Sequence, residues 1–365
     1  DGSKNAMANC RRFKMPHVYE PLQAGLDHLR QCQITGSDPF EVASASALLE
    51  VYDSYYDNDK FDVVSVEATQ KINIPETKFS LTGRFDTFLR NGRGKLINLE
   101  HKTTASALDN PWHPQLAKTS FDRQISLYHL LAYLNGEMVE ETWMDVIRKV
   151  SLRPKAIPAG TANKRFGSKR EIVDESKYFG KELSQETLTA FRADRLKKEN
   201  AEMYRYRVLH VLNENPEAYF RRKTRITRTV DEMKEAFRQL VMVAKEIERA
   251  EENDAWYQNT NSCFAYGTTC PYWTICSGTD HPGSDTWVPR KGSSQSGRFN
   301  LSHSRIGTFH SCRTKYYFTY VQGIEKAARE KSAALRYGSL VHDALEKYWL
   351  QQKELKDGNS GTSEV

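Results

Sequence analysis

Three side chains near position 100 have the types and spacing for metal-assisted hydrolysis. Asp86 lies in the run "KFSLTGRFDTFLR", and Glu100 and Lys102 close the run "KLINLEHK". The intervening "RNGRG" supplies turn glycines, so the two runs read as adjacent antiparallel strands. Asp86 and Glu100 can then point into one spot. Residues two apart on a strand share a face, which sets Lys102 beside Glu100. Hydrolysis of a phosphodiester needs a nucleophilic water and neutralised charge at the scissile phosphate. Mg²⁺ or Mn²⁺ supplies both, and such hard cations take carboxylate oxygens. An ammonium beside that water would orient it or stabilise developing negative charge. The plainer reading is a surface hairpin with a cross-strand salt bridge. Against it, "LINLEHK" stays apolar until it meets the charges, as a buried strand does when it emerges into a cleft.

Other reactive residues lie further along. Gln124 and Tyr128 are four apart in "FDRQISLYHLLAYLNG", so on a helix they share a face. Gly338, His342 and Glu346 repeat at the same interval in "YGSLVHDALEKYW". Alone, that pattern is a helix with one ordinary histidine. Cys263, Cys270 and Cys276 form a C-x6-C-x5-C cluster; Cys312 stands apart, and Cys10 and Cys32 have no comparable neighbours. Clustered cysteines at short intervals favour a metal or an iron–sulfur cluster over disulfides. Four-cysteine zinc and plain buried thiols are the alternatives.

These residues need a scaffold, and its elements are readable. Residues 15 to 57 read as helical, with an Asp-Pro entry signal at "DPFEVASASALLEVYDSYY". Strand-like runs cover 61–74, 78–90 and 95–102. A helix spans 121–136 and ends at Asn-Gly. Another strand covers 142–152. A Lys-, Arg-, Gly- and Pro-rich loop takes 153–180, and long polar helices are expected at about 183–213 and 229–252. Strands wrapped by helices indicate an α/β (α+β) core. The expected organisation is a core over 1–278 with the cysteine triplet, a flexible linker at 279–298, and a segment at 299–365 that completes the same domain. The tail "KDGNSGTSEV" is expected to be mobile.

The chain has 365 residues, 27% of them charged, with a formal net charge of +6. That mildly basic balance is compatible with a polyanionic partner without requiring one. There is no GxxxxGK[ST] run, no long apolar stretch and no signal-peptide pattern. The expectation is a cytoplasmic protein of prokaryotic or phage origin with no membrane partner. Basic runs at 163–170 and 219–228 would contact phosphates; the latter carries Arg221, Arg222, Lys223, Arg225 and Arg228, with Tyr219 and Phe220 to stack bases.

Taken together, Asp86, Glu100-His101-Lys102 and the following Gln124/Tyr128 helix resemble the RecB-like branch of the PD-(D/E)xK nucleases. The resemblance implies a restriction-endonuclease-like mixed central sheet flanked by helices. It implies His342 as a further metal ligand, with Asp86, Glu100 and the His101 carbonyl, and an imidazole suits Mn²⁺ better than Mg²⁺. "LSHSRIGTFHSCRTKYYFTYV" resembles the family's opening segment at Ser302, Phe309, Cys312 and Tyr316. The family resemblance further implies Cys312, Cys263, Cys270 and Cys276 as ligands of a 4Fe-4S cluster, although the closing spacing is wider than usual. The motif order is circularly permuted, because the Cys/His segment follows the cysteine triplet. Segment exchange between subunits is a rival explanation. The implied activity is a metal-dependent DNA exonuclease on single strands, acting in recombination, repair or processing. The alternatives are a DNA-end factor within a CRISPR spacer-acquisition complex and a zinc-stapled nucleic-acid-binding scaffold without catalysis.

Overall fold

The computed structural model describes residues 20–57, 59, 61–108, 121–157, 177–193, 196–265, 268–290, 299–327 and 332–360. The central sheet is mixed. Strands β1 (Phe61–Asn73), β2 (Ser80–Asn91) and β3 (Leu96–Thr104) form an antiparallel meander. Helix α3 (Arg123–Leu134) then carries the chain to β4 (Val139–Arg148), which lies parallel to β3. Strand β5 (Phe220–Ile226) pairs antiparallel with β4 at the edge. A two-residue strand, Asn300–Leu301, adds in parallel at the start of β2.

Helices cover both faces. On one face lie α1 (Pro21–Ile34), α2 (Pro39–Tyr55), α5 (Ala201–Glu214) and α8 (Ala333–Ser360). They bury Leu48, Tyr52, Leu345 and Trp349 against Leu89, Leu99 and Ile147 of the sheet. On the other lie α3, α6 (Val230–Glu252) and α7 (His303–Ser311), whose Leu131, Leu240 and Phe309 meet Phe85, Phe88 and Leu96. Each such side chain contributes about 1.5–3 kcal/mol by leaving water. Local signals fix the helix starts. Asp38 caps α2 ahead of Pro39, Thr229 and Glu232 form a capping box on α6, and Ser302 caps α7. The hairpin between β2 and β3 closes at Gly94, whose φ of +76° suits glycine.

Several expectations need revising. The helix expected at 183–213 is two helices, α4 (Gln185–Arg192) and α5, because Glu199 is drawn into a buried pair with Arg207 and accepts from the Lys155 N–H. Within the basic run at 219–228, Phe220–Ile226 forms an edge strand. Within the expected linker, Trp287–Pro289 pairs with Ile324–Lys326, and Trp287 stacks on Tyr272. The last helix continues to Ser360, into the expected tail. The basic run at 163–170 and Cys10 lie outside the described residues. No helix among the described residues is long and apolar enough to cross a membrane.

Candidate active site

The β2–β3 ladder ends at the Thr87–Leu99 pair, so its register sets Asp86 opposite Glu100. Beyond that pair Asp86 Oδ2 accepts from the backbone N–H of His101 at 2.8 Å. Alternation along β3 then divides the motif between the faces. Glu100 and Lys102 turn toward α3, while His101 turns toward α2 and α8.

Glu100 is 3% exposed. Its Oε1 accepts from Lys102 Nζ at 2.5 Å and from Gln124 Nε2 at 2.8 Å, while its buried Oε2 has no partner. Burial, then the Asp86 charge, push its carboxyl up to about 7 against the pull of Lys102. Burial works to lower Lys102, but the Glu100 carboxylate outweighs it and the ammonium is held above its ordinary range. Proton and charge at this spot are thus finely balanced.

Helix α3 delivers the next pair. Asp122 caps it through the Gln124 N–H, which fixes the helix where Gln124 reaches Glu100. Gln124 Nε2 also donates to the Tyr128 hydroxyl at 3.1 Å, and that hydroxyl donates to the Arg84 carbonyl at 2.9 Å. Gly83 makes the approach of α3 feasible. A Cβ there would stand 2.9 Å from Tyr128 Cε1 and 2.9 Å from Leu131 Cδ2.

His342 arrives on α8. Gly338, one turn earlier, lies so close to β3 that a Cβ would stand 3.0 Å from Thr103 Oγ1. The His342 and His101 rings meet edge to face with centroids 6.3 Å apart. Burial and His101 lower the His342 pKa, which keeps the imidazole neutral and available as a ligand. Asp86, Glu100, Lys102, Gln124 and Tyr128 are therefore brought together around the end of β3 within one chain, and His342 packs against the His101 ring of the same strand. The family model of the PD-(D/E)XK nuclease superfamily matches residues 41–277 and 300–364. The chain belongs to the PD-(D/E)XK nuclease superfamily. Curated proteins yielded no match.

For a PD-(D/E)XK site, the fit to a divalent cation rests on the donor chemistry. A buried carboxylate with an orphaned oxygen, a second carboxylate opposite it and a neutral imidazole are ligands such a cation takes. Among the described residues no three His, Cys, Asp or Glu side chains form a ready-made cage. Lys102 supplies the positive charge that Glu100 faces.

Some important groups escaped the sequence reading. Asp145 on β4 is fully buried and accepts from His101 Nδ1 at 2.8 Å, Tyr52 Oη at 2.7 Å and Arg222 Nε at 3.3 Å. Arg222 also pairs with Asp59 at 2.7 Å and lies over the Tyr56 ring. Arg222 is therefore an internal counter-charge rather than the phosphate contact expected from the basic run. Arg221 bonds the Leu108 carbonyl, and Arg225 lies over Trp143. Glu67 on β1 also borders the site, pairing with Arg84. A lone acid in an alternating strand carries no signal that could have found it.

The four cysteines implied as ligands lie around a common cavity without forming a ready-made metal cage. Cys263, Cys270, Cys276 and Cys312 line one cavity of about 170 Å³ with Tyr272 and Lys315. All four are free thiols, as is Cys32. Burial and the neighbouring sulfurs push Cys276 up to about 11. Cys312 Sγ accepts from the Asn259 N–H at 3.4 Å, and Arg305 fixes the segment by donating to Tyr316 Oη and the Asn300 carbonyl.

Proposed function

We propose that the protein is a metal-dependent deoxyribonuclease that hydrolyses single-stranded DNA as an exonuclease. The observation that carries this reading is Glu100. It is a buried carboxylate with one oxygen unpartnered, opposite Asp86 and beside Lys102. Asp86, Glu100, His342 and the His101 carbonyl would hold Mg²⁺ or Mn²⁺. When bound, the cation supplies charge neutralisation at the phosphate and a more acidic water. Gln124 holds Glu100 Oε1 in place through its amide. Lys102 donates hydrogen bonds to the attacking oxygen and balances charge as it builds. Tyr128 locks α3 to β2, so Gln124 keeps its aim. Asp145 holds the His101 ring and thereby steadies the β3 backbone between the two acids.

The four cysteines would hold a 4Fe-4S cluster. Deprotonated as ligands, the four sulfurs would repel one another, and a cationic group in their midst would relieve that cost. A roomy cavity lined by four sulfurs suits a cluster better than a single zinc ion, which draws thiolates to about 2.3 Å of one centre. The order of segments is that of a permuted chain, with the segment from 299 onward completing the domain in the same molecule.

The test is turnover of end-labelled single-stranded DNA with Mn²⁺. Lys102→Ala should lose cleavage by on the order of 10²–10³-fold, as for one charge-stabilising donor, while DNA binding persists. Robust cleavage by that variant would defeat the assignment. Binding by the unmodified chain without turnover would favour an end-binding factor.

A further inference from the structure

Arg84 is an exposed cation on the strand that carries Asp86. It precedes Asp86 by two on β2, so the two share a face. Its side chain is 70% exposed, and its Nε lies 2.7 Å from Glu67 Oε2. The N–H is not aimed at that oxygen, so the contact is ionic without an aligned hydrogen bond. Among the described residues its terminal Nη groups have no partner. Its carbonyl accepts from Tyr128, which in turn accepts from Gln124.

Glu67 is strained to make this contact. It adopts φ +52° in the middle of β1, between the Val66–Thr87 and Ala68–Phe85 pairs. A non-glycine residue in the left-handed region costs about 1–2 kcal/mol. Such strain persists where surroundings impose it and concentrates at functional sites. The register sets Glu67 opposite Asp86, on the face that Asp86 shares with Arg84. Burial raises the Glu67 pKa against the pull of Arg84, with Asp86 and Glu346 adding to the rise.

We propose that Arg84, steadied by Glu67, is a substrate-binding residue that grips a backbone phosphate of the DNA strand next to the scissile bond. A guanidinium presents a planar fork of donors that matches phosphate oxygens. The Gln124–Tyr128–Arg84 chain gives the helix that steadies Glu100 a direct hold on this residue. Strand placement and carboxylate placement are thereby coupled. A contact of this kind carries no base preference. The inference rests on the nuclease reading and adds a defined phosphate contact to it.

The experiment measures binding of labelled single-stranded DNA across a salt series, with Ca²⁺ replacing Mn²⁺ to prevent turnover. The unmodified chain, Arg84→Gln and Arg84→Lys are compared, and KM and kcat are then measured with Mn²⁺. Arg84→Gln should lower the slope of log affinity against log salt by about 0.7, one phosphate contact on a single strand. It should weaken binding on the order of tenfold. Arg84→Lys should restore most of the slope, because it restores the charge. KM should rise more than kcat falls, since the contact is made in the bound ground state as well. Arg84 is exposed, so melting temperatures should stay together, which a purely structural role would not predict alongside a changed slope. An unchanged slope in Arg84→Gln, with the unmodified chain binding and cutting DNA, overturns this inference alone. Failure of the unmodified chain to bind or cut single-stranded DNA defeats both readings.

Discussion

Replacing Asp145 with alanine should cost as much stability as truncating a large buried apolar side chain of the sheet. The carboxylate is fully buried and serves three donors: His101 Nδ1, Tyr52 Oη and Arg222 Nε. Asp59, which is partly exposed, would remain as a carboxylate partner of Arg222, beside the Tyr52 hydroxyl. Breaking a buried ion pair by removing one partner costs about 3–5 kcal/mol, because the surviving charge stays buried. Protonation is gentler, since a neutral carboxyl keeps some hydrogen bonds. Burial opposes the Asp145 charge, but Arg222 and His101 outweigh it and hold the carboxyl down at about 2, from an ordinary 3.8. That gap is about 2 kcal/mol. The folded pKa lies below the unfolded one, so this stability is present above about pH 4 and is lost as pH falls toward about 2. Urea unfolding followed by tryptophan fluorescence at pH 7 measures the larger effect. The paired variant Asp145→Leu/Arg222→Met removes both charges and should recover much of the loss. A loss below about 1 kcal/mol for Asp145→Ala, or no recovery in the pair, would refute the view that the charge network supports the fold.

Three further outcomes are expected. Glu100→Gln should raise the melting temperature of metal-free protein at pH 8, a gain of about 0.5–2 kcal/mol, while abolishing cleavage; a lower melting temperature in EDTA would contradict this. The sign follows from the raised pKa of about 7: the folded state prefers the proton, so ionisation at higher pH destabilises it. Gly83→Ala should displace Tyr128 and cost about 1–3 kcal/mol by overpacking, with kcat falling as Gln124 loses its aim; a neutral change in both thermal melts and turnover would count against the contact. Cys312→Ser should remove iron and visible absorbance from anaerobically purified protein, and zinc in place of iron on metal analysis would replace the cluster with a four-thiolate site.

The hairpin and the Gln124/Tyr128 helix were legible because each rests on short-range rules. A turn sets two strands side by side, and a spacing of four sets two residues on one helix face. His342 needed family likeness, since one histidine on a helix is ordinary. Asp145 could not be found, because its partners Tyr52 and Arg222 come from distant parts of the chain. Arg222 was misread for the same reason. Five cations in ten residues look solvated in one dimension, yet the strand turns Arg222 inward. Glu67 stayed hidden because only its backbone conformation, not its residue type, distinguishes it.

The short strand Asn300–Leu301 has a mechanical meaning. It is zipped to the first residues of β2, with the Ser80 N–H donating to the Phe299 carbonyl at 2.9 Å. The same segment runs through α7 into Cys312. The thiol cavity and the strand bearing Asp86 therefore hang from one tether, anchored by the Arg305 bonds to Asn300 and Tyr316. Slack introduced at the sulfur end is transmitted to the start of β2, so oxidative damage to the cysteines would reach the carboxylates as a loosening of their footing.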